Sequence, residues 1–360
     1  MIIIPHKDLS IDNLDSIASQ DHSPSIIAAI RFISSWLNET PEFVQQTSGS
    51  TGPPKEIKIT REQMLISARE TLEYLQIGPG GTALVCLSTE YIAGKMMIVR
   101  AIENMMDIIL EEPTADPLYD VPKDLKIDLA SMVPIQVSTT HSEHGHKRLE
   151  QIWKLLIGGS DIPISLEHSL THLKGSIYHT YGMTETVSHI ALRSLNDHGT
   201  NEYFTTLPGV LIRAGELGTL EIKAAVTNQH WIQTNDLVEI INEHTFRYLG
   251  RVDNVIITGS VKVYPEKVES QLYGLLNDIE VFNDFFVTGT PDRHFGHVVT
   301  LIMEGQPEFP DEAILHKIRE VIHDYSLPRK IIYIPGFRRT ANGKIKRQET
   351  LSLISYPSDE

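Results

Sequence analysis

One cysteine, Cys86, stands in 360 residues. An intrachain disulfide is therefore excluded, the fold must rest on its apolar core, and a reducing compartment is expected. Cys86 lies in the apolar run "ALVCLS", where a packed thiol is expected rather than a nucleophile. No apolar stretch approaches the length that spans a bilayer. The start, "MIIIPHKDLS", has no basic residues before its short apolar run, so no signal peptide is expected, and a cytoplasmic protein without membrane insertion is the expectation. Positive charge is also scarce: 31 Lys and Arg face 47 Asp and Glu, a formal net charge of −16. That argues against nucleic acid as a partner, which calls for a basic face. Small anions remain open as ligands, because local donors hold them regardless of net charge.

The length suggests about two or three domains. Helix-like and strand-like segments alternate through the first two-thirds: "SIIAAIRFISSWL" has helical apolar spacing, "TREQ" is a capping box opening a second helix, and "TALVCLS", "KLLIGGS" and "GSIYHTYG" read as strands. This is an α/β pattern. After about Gly218 strands dominate, and the last third holds enough strands and one helix, "DEAILHKIREVIHDY", for a separate small α+β domain. Charged residues interrupt the strands at Leu249–Asn254, which places the expected division between residues 1–252 and 253–360.

Four polar segments carry chemistry. In "TSGSTGPPK", Gly49 and Gly52 let backbone N–H groups turn toward an anion, the hydroxyls of Thr47, Ser48, Ser50 and Thr51 add donors, and Lys55 adds charge. It is a phosphate cradle that fits no register of the G-x-x-x-x-G-K-[ST] loop. In "YHTYGMTET", a strand ends at Tyr181 and Gly182, and Thr184 and Glu185 follow; a carboxylate beside a phosphate loop suits Mg²⁺. In "WIQTNDLVEI" and "FRYLGRVDN", Asp236 is placed to accept from a ribose diol, with Arg251 nearby. In "RRTANGKIKR", Lys344 follows an Asn-Gly turn. The histidines of "HSEHGH" lack a firmly spaced further ligand and read as a solvated loop.

These segments, in this order, resemble the acyl-adenylate-forming superfamily of acyl- and aryl-CoA synthetases, peptide-synthetase adenylation domains and luciferases. "LIGGSDIP", "MVPIQVS", "LPGVLIR", "GELGTLEIK" and the Gly250–Asp253 "GRVD" also match, so the resemblance covers about Thr47 to Arg347. It implies a large adenylation domain of sheets and helices with a small mobile α+β domain after it. ATP, Mg²⁺ and CoA would be co-substrates with a carboxylic acid. By resemblance, Lys344 contacts the attacking carboxylate and α-phosphate, Thr184 donates to the α-phosphate, and Glu185 holds Mg²⁺. The loop from Thr47 to Lys55 holds the β- and γ-phosphates. Gly158, Gly159, Ser160 and Tyr181, with Gly182 beside it, wall the adenine, Asp236 and Arg251 fix the ribose, and Asp253 is the hinge. Gly259 would let the pantetheine arm pass closely, and Lys262 or Lys330 would meet CoA phosphates. Two features depart from the pattern. Asn235 replaces a glycine, a change that tolerates the same turn geometry, and the phosphate loop begins only 46 residues from the start, so the fold is expected to close with a shortened N-terminal region.

For the acid, "STEYIAGKMM" resembles the helix beside the family's acyl pocket, with Lys95 where an apolar residue is usual. Lys95 either reaches solvent or pairs with a second carboxylate of a diacid. "YGMTETVSHIALR" resembles the o-succinylbenzoate–CoA ligase branch, which serves menaquinone biosynthesis; there Ser188 and His189 would lie near the pocket. The alternatives are another aryl- or acyl-CoA ligase, a freestanding adenylation enzyme loading a carrier protein, or an adenylate-binding protein without turnover.

Overall fold

The computed structural model describes residues 1–46, 55–196, 202–281, 283–340 and 345–354. Its strands in chain order are β1 (Ile2–Ile4), β2 (Glu42–Gln46), β3 (Glu56–Thr60), β4 (Thr82–Val85), β5 (Asp107–Leu110), β6 (Ile127–Met132), β7 (Ile152–Ile157), β8 (Ser176–Gly182), β9 (His189–Ser194), β10 (Tyr203–Thr206), β11 (Leu211–Ala214), β12 (Thr219–Lys223), β13 (Ile232–Asn242), β14 (Thr245–Arg251), β15 (Ile256–Thr258), β16 (Val261–Val263), β17 (Phe285–Asp292), β18 (Gly296–Glu304) and β19 (Lys330–Ile334). The helices are α1 (Ile11–Ala18), α2 (Pro24–Leu37), α3 (Arg61–Leu75), α4 (Ile92–Glu103), α5 (Pro134–His144), α6 (His146–Leu149), α7 (Ile164–Leu170), α8 (Pro265–Asp278), α9 (Asp311–Val321) and α10 (Arg347–Leu351).

One twelve-stranded sheet organises the first two-thirds, in the order β1-β5-β4-β6-β7-β8-β9-β10-β14-β13-β12-β11. Its parallel part, β5 to β8, is built from short apolar runs because helices cover both faces. Ala83 and Val85 of β4 point to the side of α2, α3 and α4, and Leu84 to the side of α5 and α7, as the two-residue period of a strand requires. β8 joins two patterns: it runs parallel to β7 and antiparallel to β9. From β9 onward the sheet is antiparallel.

The small C-terminal unit has its own sheet, β17-β18-β19, and its own core of Leu272, Leu276, Leu301, Ile314 and Ile318, supplied by α8, β18 and α9. The fold is thus α/β with a large sheet-rich N-terminal part and a small α+β part. Cys86 is buried, and burial pushes its thiol up to about 12. Among the described residues no helix is long and apolar enough to cross a membrane.

Two sequence expectations are corrected at this level. "HSEHGH" is helical rather than a loop: it spans the end of α5 and the start of α6, with His144 Nε2 2.6 Å from Asp116 Oδ2 and the His141 and His146 rings 4.5 Å apart. Asn235 adopts no glycine-like turn. It lies inside β13, where its amide donates to Asp253 Oδ2 at 3.3 Å.

Candidate active site

Parallel strands with covered faces leave their carboxyl ends as the natural place for a ligand. A cavity of about 1380 Å³ opens there. Its wall takes Leu87 and Ser88 after β4, Met132 at the end of β6 and Val133 after it, Gly158 to Asp161 after β7, and Thr180 to Glu185 at the end of β8. Glycine is required at the β7 turn: a Cβ on Gly158 would sit 2.1 Å from Thr180 Oγ1, and Gly159 has φ +90°.

The opposite wall comes from the antiparallel part. Tyr181 O–H donates to Asp236 Oδ2 at 2.5 Å, and Arg251 Nη1 donates to Asp236 Oδ1 at 3.2 Å. Arg251 Nη2 donates to Asp253 Oδ2 at 3.0 Å. Tyr181 is packed edge-on against Phe204 and Phe246; burial first, and the Asp236 carboxylate second, hold its phenol protonated well above the ordinary range. Asp236 keeps free lone pairs for hydroxyl donors. The Thr184–Thr186 turn presents Thr184 and Glu185 to the same cavity. Glu266 and Arg347 of the small unit also line it.

The expected residues Lys55, Gly158, Gly159, Ser160, Tyr181, Gly182, Thr184, Glu185, Ser188, His189, Asp236 and Arg251 are therefore brought around one cavity. Thr47, Ser48, Gly49, Ser50, Thr51, Gly52 and Lys344 lie outside the described residues. Asp253 sits on the Val252–Asn254 turn, accepting from Arg251 and Asn235. Gly259, Lys262 and Lys330 are in the small unit and do not line the cavity. The need for glycine at Gly259 has a local cause: its φ is +52° and a Cβ would meet Phe295 Cδ1 at 3.2 Å.

Lys95 is the main correction. It does not line the cavity, and it is only partly exposed. It donates to Gln45 Oε1 at 2.7 Å, and Gln45 Nε2 in turn donates to the Glu90 carbonyl at 2.6 Å. Burial draws its pKa down. Ile92, Ala93 and Arg100 of α4 line the cavity, with Ala93 and Arg100 seven residues apart on one face; Lys95 is instead tied to Gln45.

Arg100 is the residue missed in the sequence. It is 2% exposed. Its Nη2 donates to Ser188 Oγ at 2.9 Å, its Nε has no partner among the described residues, and no carboxylate there pairs with it. Burial pulls its pKa down to about 9. Beside it His189, 8% exposed, lies 2.9 Å through Nε2 from Thr71 Oγ1. Burial and then the Arg100 charge keep the imidazole neutral, well below its ordinary pKa. Val187 holds φ +66°, a conformation that costs a β-branched residue free energy; it turns the chain between Glu185 and the Ser188–His189 pair.

The AMP-binding enzyme profile matches residues 10–215, more than half of the chain. This chain belongs to the AMP-binding enzyme family. The AMP-binding chain is 24% identical to a 2-succinylbenzoate–CoA ligase of Staphylococcus epidermidis, over 87% of its own length and 70% of the relative's. It is 24% identical to the enzyme of that name from Lactococcus lactis, over 95% and 80%. Among solved structures, an acyl-CoA synthetase (AMP-forming)/AMP-acid ligase II-like protein from Dyadobacter fermentans is 36% identical, with 93% and 95% of the two chains covered and a TM-score of 0.62. The Bacillus subtilis o-succinylbenzoate CoA synthetase in complex with the acyl-adenylate intermediate OSB-AMP is 22% identical, with 88% and 70% covered and a TM-score of 0.74, a likeness of fold.

Proposed function

We propose that this AMP-binding enzyme is an acid–CoA ligase whose acid carries a second carboxylate, with o-succinylbenzoate as the substrate that fits best. The observation that carries the reading is Arg100. A buried guanidinium without a counter-ion is costly unless a ligand supplies one, and this one faces the cavity beside the Ser188 hydroxyl. o-Succinylbenzoate has one carboxylate to activate and one to spare. The names of the relatives support the same choice.

In the first half-reaction the acid's carboxylate attacks the α-phosphorus of ATP, giving acyl-AMP and pyrophosphate. In the second, the CoA thiol attacks the acyl carbonyl and AMP leaves. Catalysis rests on positioning and on neutralising charge. Gly158 to Ser160 and Tyr181 flank the base, Asp236 and Arg251 take the ribose, and Thr184 donates to the α-phosphate. Glu185 suits Mg²⁺: it is a carboxylate in the cavity wall, and phosphates supply most ligands of such an ion; the bound ion supplies charge neutralisation at the phosphates. The Thr47–Gly52 segment for the β- and γ-phosphates, Lys344 for the reacting carboxylate, and a division at 252/253 with Asp253 as hinge complete the proposal from the family resemblance. ATP and CoA as co-substrates suit a cytoplasmic enzyme.

The test is a mass-spectrometric assay with ATP, Mg²⁺, CoA and a panel containing o-succinylbenzoate, its spectator-carboxylate methyl ester and simple monoacids. Thioester and AMP are expected from the diacid. Arg100→Met should raise the diacid KM on the order of 10²-fold and leave the ATP KM in place. Preference for the ester or a monoacid, or no thioester from the diacid, overturns the reading.

A further inference from the structure

The polar groups behind Arg100 have a definite direction. Thr71, 0% exposed on α3, donates its hydroxyl to the Ser67 carbonyl at 2.9 Å. A hydroxyl carries one proton, so Thr71 Oγ1 is left to accept at its other contact, His189 Nε2 at 2.9 Å. The imidazole proton is thereby placed on Nε2, and Nδ1 is bare. A second observation agrees. Nδ1 faces Ser188 Oγ at 3.5 Å, and that oxygen accepts from Arg100 Nη2 at 2.9 Å; a bare Nδ1 gives the Ser188 proton an acceptor on the side away from that donor.

The donors then run one way: Arg100 to Ser188, Ser188 toward His189 Nδ1, His189 Nε2–H to Thr71, and Thr71 to the Ser67 carbonyl. No carboxylate takes part. With the opposite tautomer Ser188 would accept on both sides and turn its proton into the cavity. Neither Thr71 nor Ser67 lines the cavity.

We propose that Thr71 is a positioning residue for acid specificity: by fixing His189 as its Nε2–H tautomer it orients Ser188 and Arg100 and leaves the guanidinium charge for the carboxylate of the ligand. The part concerning the ligand rests on the function proposed above; the tautomer does not.

The experiment records long-range proton–nitrogen spectra of the histidine rings in the full ¹⁵N-labelled chain, with His189 assigned by its loss in His189→Gln, and measures KM values for diacid and ATP. The wild type should show His189 protonated at Nε2. Thr71→Val, which keeps the shape and removes the acceptor, should shift that signature and raise the diacid KM roughly tenfold with the ATP KM unchanged. Thr71→Ser, which restores the hydroxyl, should return both. A wild-type ring protonated at Nδ1 overturns the proposal, and so does a Thr71→Val protein whose diacid and ATP KM values stay put or rise together. If Thr71→Val does not fold, the wild-type spectrum and the Thr71→Ser KM values decide. If the wild type turns over no diacid, the functional reading falls while the spectrum still decides the tautomer.

Discussion

At the scale of single residues, charge and burial are matched group by group, and the unmatched groups are the informative ones. Arg100 is one. Glu70 is another, a carboxyl on α3 whose pKa is raised to about 7 by burial and then by Glu73. A carboxyl raised in the folded state binds its proton more tightly there than in the unfolded chain. Stability is therefore highest when Glu70 is protonated, and it falls as the pH climbs from about 4.5 to about 7, with no further loss above that. Glu70→Gln should raise the urea midpoint at pH 8 and leave it nearly unchanged at pH 4.5. Equal shifts at the two pH values would show that Glu70 is not the titrating group. At this scale the sequence was only partly legible. The adenine, ribose and hydroxyl residues stood in recognisable runs, so their types and order pointed to one site. Arg100 did not, because a guanidinium in an apolar helix looks like a surface residue until the phase of α4 is known. The seven-residue spacing from Ala93 to Arg100 was the available signal. Lys95 drew attention by its odd neighbours, yet its partner, Gln45, lies on a strand far away in sequence, which no local pattern reveals.

At the scale of elements, local chemistry decides where helices begin. Thr60 caps α3: its Oγ1 accepts from Gln63 N at 3.2 Å, and Gln63 Oε1 accepts from Thr60 N at 2.9 Å. The box is tied further by Gln63 Nε2 donating to the Val226 carbonyl at 2.7 Å. Thr60→Ala should cost about 0.5–2 kcal/mol, measured by denaturant unfolding with an unchanged slope, and Thr60→Ser should recover most of it. A loss shared by the serine variant would place the effect outside the cap. This box was legible because it is written in four consecutive residues. So were the buried strands of the parallel sheet, written as short apolar runs. The histidines of α5 and α6 misled for the opposite reason: their composition is that of a loop, and the helix stands because Val137 and Thr140 of the same segment are buried and His144 meets Asp116 from another part of the chain. Propensity is a weak prior where tertiary contacts of this kind act.

At the scale of the whole molecule, the two parts approach closely where β14 meets α8. Gly250 has φ +139°, and a Cβ there would fall 2.3 Å from Glu266 Oε2 and 3.0 Å from its Cδ. The same carboxylate accepts from Asn254 Nδ2 at 2.5 Å. Gly250→Ala should press α8 away from β14 and change the two half-reactions unequally, by roughly ten- to a hundredfold in the more affected one; pyrophosphate exchange reports the first and thioester formation the second. Equal slowing of both would remove the hinge from this position.

The place of β8 has a consequence for how the chain comes to be active. Strands β9 and β11 to β14 pair mostly with near neighbours in sequence, contacts that form early and from short loops, whereas β4 to β8 are linked by crossovers that close over longer stretches. β8 takes hydrogen bonds from both groups, and it carries Tyr181 and leads into Thr184 and Glu185. A chain with either group unformed lacks one wall of the cavity. Retention of nucleotide is therefore expected to report a finished sheet.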